Sequence, residues 1–241
     1  MSEPYERFSV SHVEYRAASK ALDDSYRLRY EIYCSEEQFL PAQDYPDHLQ
    51  FDNYDEVSEH FIVREAAMDK LAGCSRLIKY SKELGFPTAD HFPELYSKLS
   101  GLPLEKVCEV SRFCVSSDFR QRLVPKDGPY GIESYLPENR IELPEGQAEN
   151  RRYPIVLLLM IKAMYQLSLK RENRYWIASM EPGLIRYFSS CGMQWVRLAN
   201  DYIDFYGKVM PCLVDLEKAI NQMSEKRPDI HKFIISKDNI L

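Results

Sequence analysis

Residues 107–120 read VCEVSRFCVSSDFR. The apolar residues predict a strand long enough to cross a domain, yet Glu109, Ser111 and Arg112 interrupt it. Counting by two, Glu109, Ser111 and Phe113 share one face, while Cys108, Val110, Arg112 and Cys114 share the other. An unbroken strand therefore holds Glu109 and Arg112 on opposite faces and gives them separate partners; a bulge, frequent beside sites, would break that phase. Other charges set in apolar frames supply candidate partners: Arg76 in LAGCSRLIKY (71–80), Arg64 in HFIVREAA (60–67), Arg29 in a helix-patterned stretch, and Asp52 and Asp55 in FDNYDEVSE (51–59). Buried ions cost several kcal/mol each unless paired. These residues therefore form either an ion-pair network that ties the 40–58 loop to the sheet, or a clamp for a polar or zwitterionic ligand. Guanidiniums would fork onto a carboxylate and aspartates would meet a cation. Burial that raises the pKa of Glu109 toward neutrality makes it a proton acceptor, directly or through water.

The 241 residues suffice for one large domain or two small ones with a sizeable core. At 45% hydrophobic and 28% charged, the chain is an ordinary globular protein. Its net charge of −6 disfavours nucleic acid as a partner, since phosphate binding needs clustered cations. Local basic runs exist at 151–152 (RR) and 170–174 (KRENR), where an acidic carrier protein can dock or where a solvated surface suffices. Six cysteines without a CxxC pair fit reduced, partly buried thiols in the cytoplasm. The N-terminal stretch MSEPYERFSV has no basic region before an apolar run, so no signal peptide is expected. The longest apolar run, 154–167, is broken by Lys162 and is too short to span a bilayer, which still allows peripheral membrane contact.

Several chemistries lack their residues. HExxH, GxxxxGK[ST], GxSxG and GxGxxG are all missing, and five scattered histidines carry no metal spacing. His60 and His91 lie nearest the polar set and read as surface or capping residues. Cys108 and Cys114 have no adjacent histidine or cation to activate a thiolate.

Along the chain, a strand is expected at 8–13, then a helix over 21–39 with apolar residues at 22, 26, 30 and 33. A hairpin follows at 60–67 and 71–80, then a short helix at 89–99 capped by Asp90. The proline- and glycine-containing stretch 118–153 exceeds ordinary connector length and reads as a lid or insertion. A buried central helix (153–173), a strand (175–180), a helix stopped by Gly192, a strand (193–199), and a strand and helix over 208–225 complete the chain. This order predicts a single mixed α/β domain over 1–241 with helices on both faces of the sheet.

These residues resemble the autoinducer synthases, which make N-acyl-homoserine lactones. The resemblance extends more closely to N-acyl amino acid synthases and to acyltransferase-like proteins associated with exosortase (PEP-CTERM) systems. An arginine followed by two aromatics corresponds to Arg29, Tyr33 and Phe39, and the aspartate pair to Asp52 and Asp55. The G-x-x-R-L strand corresponds to Gly73, Arg76 and Leu77, a phenylalanine before a short helix to Phe92, and E-x-S-R-F-x-V to Glu109, Ser111, Arg112, Phe113 and Val115. The matches run in order over 26–116; beyond them only element order agrees.

The resemblance implies a GCN5-related N-acetyltransferase fold and an N-acyltransferase that moves a fatty acyl group from an acyl-carrier-protein thioester to the amine of an amino acid or similar acceptor. It implies catalytic roles for Glu109, Arg76 and Arg112. Arg29, Tyr33, Phe39, Asp52, Asp55, Phe92, Ser111 and Phe113 would bind substrate. A backbone N–H near 113–115 would meet the oxyanion, and Leu158 and Met160 of the central helix would either contact the acyl chain or pack the core. Arg151, Arg152, Lys170, Arg171 and Arg174 would receive the carrier, with no tightly bound cofactor or metal. Phe39 stands where lactone synthases usually carry tryptophan, which argues against S-adenosylmethionine as acceptor. AENRRYPIVLLL lacks the glycines of a coenzyme A pyrophosphate loop, which favours a carrier protein over acyl-coenzyme A. The alternatives are an acyl-coenzyme A-dependent enzyme of the same fold, or a non-enzymatic ligand-sensing or accessory module of a surface-export system.

Overall fold

In the computed structural model, residues 7–15, 20–120, 154–205 and 207–236 are described. The expected lid at 118–153 lies outside them from residue 121 onward. Eight strands form one sheet in the order β1-β2-β3-β4-β5-β8-β6, with β7 paired to β8. They are β1 (Phe8–Glu14), β2 (Ser58–Glu65), β3 (Lys70–Lys79), β4 (Val107–Val115), β5 (Tyr175–Met180), β6 (Val196–Arg197), β7 (Ile203–Asp204) and β8 (Lys208–Asp215). All neighbours are antiparallel except β4 and β5.

Side chains alternate between two cores, as the two-residue strand period demands. On one face, Phe61 and Val63 of β2 meet the central helix α4 (Ile155–Lys170), which packs across β1 to β3. On the other, Ile62, Cys74 and Cys114 meet Leu28 of α1 (Lys20–Tyr30) and Ile32 and Tyr33 beyond it. Helices thus cover both faces, as expected. Burial of α4 follows from its sequence, which is apolar nearly all round. Its Leu158 and Met160 are core residues. All six cysteines are buried and free.

Five details depart from the pattern-based expectation. The helix expected through residue 39 is α-helical only to Tyr30 and closes as a π-helical turn, Glu31–Glu36. The 40–58 loop is organised by short 3-10 turns, one of them Asn53–Val57. The single helix expected at 89–99 is two, α2 (Pro87–His91) and α3 (Leu95–Lys98), and Asp90 caps neither. Its carboxylate accepts from the Tyr54 hydroxyl at 2.8 Å instead. The strand expected at 193–199 shrinks to two residues in β6. A terminal helix, α7 (Pro228–Ile235), starts at Pro228 just after α6 (Leu216–Lys226), whose first turn Asp215 caps.

The helix after β5, α5 (Pro182–Ser190), ends as expected at Gly192, whose φ of +88° suits the left-handed stop. Two distortions of the sheet create the site. β4 and β5 pair only over Val107–Glu109 and Tyr175–Ile177, after which they part. In β4, the register against β3 slips between Ser111 and Cys114, where Ser75 faces two residues, and Arg112 takes a left-handed φ of +49°. That conformation is rare for arginine and costs about 1–3 kcal/mol, offset by what holds Arg112 in place.

Candidate active site

A cleft opens where β4 leaves β5. Glu109, Ser111, Arg112 and Phe113 form its β4 wall, and Ala178, Ser179 and Met180 its β5 wall. Tyr33 and Phe39 also line it, with Ile161, Leu184, Phe188 and Trp195 as apolar lining and Glu181 as a second carboxylate. The bulge brings Glu109 and Arg112 to the same cleft, against the opposite-face reading of an unbroken strand. Their separate partners hold.

Glu109 is 2% exposed. Its Oε2 accepts from the Thr88 N–H at 3.2 Å and its Oε1 from the Thr88 hydroxyl at 2.9 Å. Burial lifts its pKa to about 7; the Thr88 hydrogen bonds and the guanidiniums of Arg76 and Arg112 pull the other way and lose. Thr88 is the second residue of α2, which starts at Pro87, so its N–H has no partner within the helix and is free to serve Glu109.

Arg112 donates through Nη2 to Asp52 Oδ2 at 3.1 Å and lies 5.6 Å from the ring of Tyr33. Behind it, Arg76 forks onto Asp52 at 2.6 and 2.9 Å and reaches Asp55 Oδ1 at 2.8 Å. Arg29 forks onto Asp55 at 2.7 and 3.1 Å, with its Nε on Gln50 at 2.8 Å. Asp52 and Asp55 also form a reciprocal capping box on the 3-10 turn, which explains their spacing of three. Burial raises the pKa of both aspartates, but Arg76 with Arg112 outweighs it at Asp52, and Arg29 with Arg76 at Asp55, so both stay below the usual carboxylate range. His60, buried beside Asp55, is pushed down to about 4 by desolvation and is neutral; its Nε2 donates to the Asp55 carbonyl at 3.2 Å. Among the described residues, three guanidiniums meet two carboxylates here, with Arg112 at the cleft end.

Among the residues expected at the site, Tyr33, Phe39, Glu109, Ser111, Arg112 and Phe113 line the cleft. The Tyr33 hydroxyl donates to the Phe113 carbonyl at 3.1 Å. Arg29, Arg76 and Asp55, each 1% exposed, stand behind this lining; Asp52 links them to Arg112. Phe92 packs with Phe86, Leu95 and Ile177 in a separate core cluster. Arg64 pairs with Asp24 and Asp69, away from the cleft. Ile161, one turn from the expected Leu158, is the residue by which α4 lines the cleft. Arg171 pairs with Glu14 and Arg174 with Asp215 and Glu217, and with Lys170 they stand at the end of β5 away from Ser179. Arg151 and Arg152 lie outside the described residues. Sequence pattern gave no sign of Thr88 or Ser179, which are single hydroxyls whose neighbours are remote in sequence.

Residues 28–126 match the family model described as an acetyltransferase (GNAT) domain. Among solved structures, a CoA-dependent acyl-homoserine lactone synthase, BjaI, with SAM and isopentyl-CoA superposes with a TM-score of 0.64 at 19% identity, covering 92% of this chain and 89% of that one. The acyl-homoserine lactone synthase LasI gives 0.57 at 14% identity over 87% and 90%. FeeM, an N-acyl amino acid synthase from uncultured soil microbes, gives 0.56 at 14% identity over 90% and 94%. No protein of curated function matches the chain by sequence. No helix among the described residues is long and apolar enough to cross a membrane. The chain therefore has the GCN5-related N-acetyltransferase fold, in the form shared by acyl-homoserine lactone and N-acyl amino acid synthases.

Proposed function

We propose that the protein is a cytoplasmic N-acyltransferase that moves a fatty acyl group from a carrier-protein thioester to the amine of an amino acid. The observation that supports this reading best is Glu109, a buried carboxylate with a pKa near 7 at a cleft with both polar and apolar lining. A base poised near the working pH suits deprotonation of an amine. Arg112, steadied by Asp52, would meet the acceptor's carboxylate, while Arg76, Asp55 and Arg29 hold Asp52 in turn. The acyl chain would run toward Leu184, Phe188 and Trp195. As the amine attacks, the carbonyl oxygen gains charge, which a backbone N–H of the β4 stretch parted from β5 would meet.

An acyl-coenzyme A donor is the second reading, since two structural neighbours, BjaI and MesI, are named as CoA-dependent. Incubation with acyl-carrier-protein thioesters, acyl-coenzyme A and a panel of amino acids, followed by mass analysis, separates the two. An N-acyl amino acid formed from the carrier thioester supports the proposal. Product from acyl-coenzyme A alone replaces the donor, and no product from either removes the enzymatic reading.

A further inference from the structure

We propose that Ser179 takes the acceptor's proton and that Thr88 passes it on to Glu109, so that Ser179 is a catalytic residue and Thr88 the positioning residue between them. This deepens the acyltransferase reading and rests on it.

Glu109 is 2% exposed and both of its oxygens accept from Thr88, so its proton is exchanged most directly with the Thr88 hydroxyl. Thr88 is buried as well, and its Oγ1 lies 2.8 Å from Ser179 Oγ. Ser179 is half-buried on β5 and lines the cleft. Three groups from α2, β4 and β5 thus make one continuous hydrogen-bonded chain from cleft to carboxylate.

A hydroxyl has a single proton to donate, and this sets the direction of the chain. When Glu109 is a carboxylate it can only accept, so the Thr88 hydroxyl donates to it. Ser179 must then donate to Thr88, which leaves the Ser179 oxygen to accept from a ligand in the cleft. When Glu109 is protonated, each bond can reverse, and Ser179 becomes a donor to the cleft.

The reaction balances along this route. The amine nitrogen bonds to the acyl carbon and the carbon–sulfur bond breaks. The proton lost by nitrogen goes to Ser179 Oγ, the Ser179 proton to Thr88 Oγ1, and the Thr88 proton to Glu109 Oε1. The departing thiolate takes a proton from water, and Glu109 later returns its own to solvent. Among the described residues, the charged and titratable groups near Glu109 include Arg76 of β3, Arg112 of β4, Tyr54 of the 3-10 turn and Tyr96 of α3, and Glu181 lines the same cleft. None of these lies on the route.

The test uses the full chain with the donor and amino acid that yield product, in four variants: Ser179→Ala, Thr88→Val, Thr88→Ser and the Ser179→Ala/Thr88→Val pair. The expected result is a fall in kcat of about 100-fold for each of the first two, at the low end of proton-transfer contributions, with KM within about twofold. Thr88→Ser restores most of the rate, and the pair is no slower than either single variant. Folded Ser179→Ala or Thr88→Val that turns over at the parental rate overturns the relay.

A second readout needs no turnover. The carboxyl stretch of Glu109, assigned by its loss in Glu109→Gln, is followed by infrared spectroscopy against pH. Ser179→Ala is expected to move the midpoint upward, because Ser179 polarises the Thr88 hydroxyl toward the carboxylate. An unmoved midpoint overturns the relay even where the parent makes no product, a result that would separately remove the acyltransferase reading.

Discussion

The Tyr33 hydroxyl donates to the Phe113 carbonyl at 3.1 Å and so ties the π-helical turn to the bulged half of β4. π-Helical turns are frequent at functional sites, and this one carries a buried phenol to the β4 segment beyond its pairing with β5. Tyr33→Phe leaves a buried carbonyl without that donor and is expected to cost about 1–3 kcal/mol in denaturant unfolding. Because the same ring faces Arg112, kcat/KM is expected to fall as well. A variant as stable and as active as the parent would detach Tyr33 from the site.

Asp55 and Asp52 are expected to separate stability from function. Asp55 is buried between Arg29 and Arg76, so Asp55→Asn leaves guanidinium charge uncompensated and is expected to cost about 3–5 kcal/mol. Asp52, 26% exposed at its side chain, touches Arg112; Asp52→Asn should cost less stability and raise KM for the acceptor. Acid unfolding follows the same logic. The folded pKa of Asp55 is depressed, so its contribution is complete above the unfolded pKa of about 3.9 and is lost as pH falls below it. Asp55→Asn should remove part of the steepness of stability against pH below about 4.

The acidic pair was legible as two carboxylates of an acidic loop beside charged strands, and its spacing of three is the one the capping box of the folded chain uses. The hairpin, central helix and β5 were legible because their apolar periods continue over many residues. The placing of Arg112 was not. Strand alternation assigns it to the face opposite Glu109, and no glycine marks the bulge that carries it to the cleft. Its left-handed backbone is held by tertiary contacts with Asp52, from a segment far away in sequence. Strands of two residues, such as β6 and β7, are too short to show a period at all. Thr88 and Ser179 meet across the fold, so their pairing exists only once β4, β5 and α2 are in place.

Glu109 makes a two-sided prediction about pH. The rate should rise with pH through about 7 as the carboxylate forms, and Glu109→Gln should abolish the rise along with most of the rate. Stability should move the other way. The folded pKa of about 7 exceeds the ordinary 4.5, so the folded state holds this proton more tightly than the unfolded chain. No penalty exists below about pH 4.5, and the full penalty of roughly 3 kcal/mol is present above pH 7. Thermal melts of Glu109→Gln should therefore lose the decline in Tm between those limits.

Gly73 sits where β3 passes under α4, and a Cβ there would lie 2.7 Å from Val156 Cγ1 and 2.9 Å from the Cys114 carbonyl. Gly73→Ala must push the helix or the neighbouring strand aside, which in a packed core costs about 1–3 kcal/mol. Stability is expected to fall by that amount while the pH dependence of turnover keeps its midpoint, since Gly73 touches neither Glu109 nor Thr88. A changed midpoint would mean that the displaced strand carries Arg76 with it.

Acyl-chain length should be set by the apolar lining of the cleft. Leu184 lies on α5 and lines the cleft with Phe188, Trp195 and Ile161, and an indole at this position removes space from that apolar lining. Each methylene that no longer fits is worth about 1–3 kcal/mol of discrimination. With a mixed pool of saturated thioesters, Leu184→Trp is expected to shift the product distribution toward shorter chains by at least tenfold. Leu158→Met serves as the control: Leu158 is in the core and does not line the cleft, so the distribution should stay as in the parent. If both variants shift the distribution alike, chain length is governed by the general packing of α4 and α5 rather than by the lining residues. If Leu184→Trp alone leaves it unchanged, the acyl chain runs out of the cleft by another side.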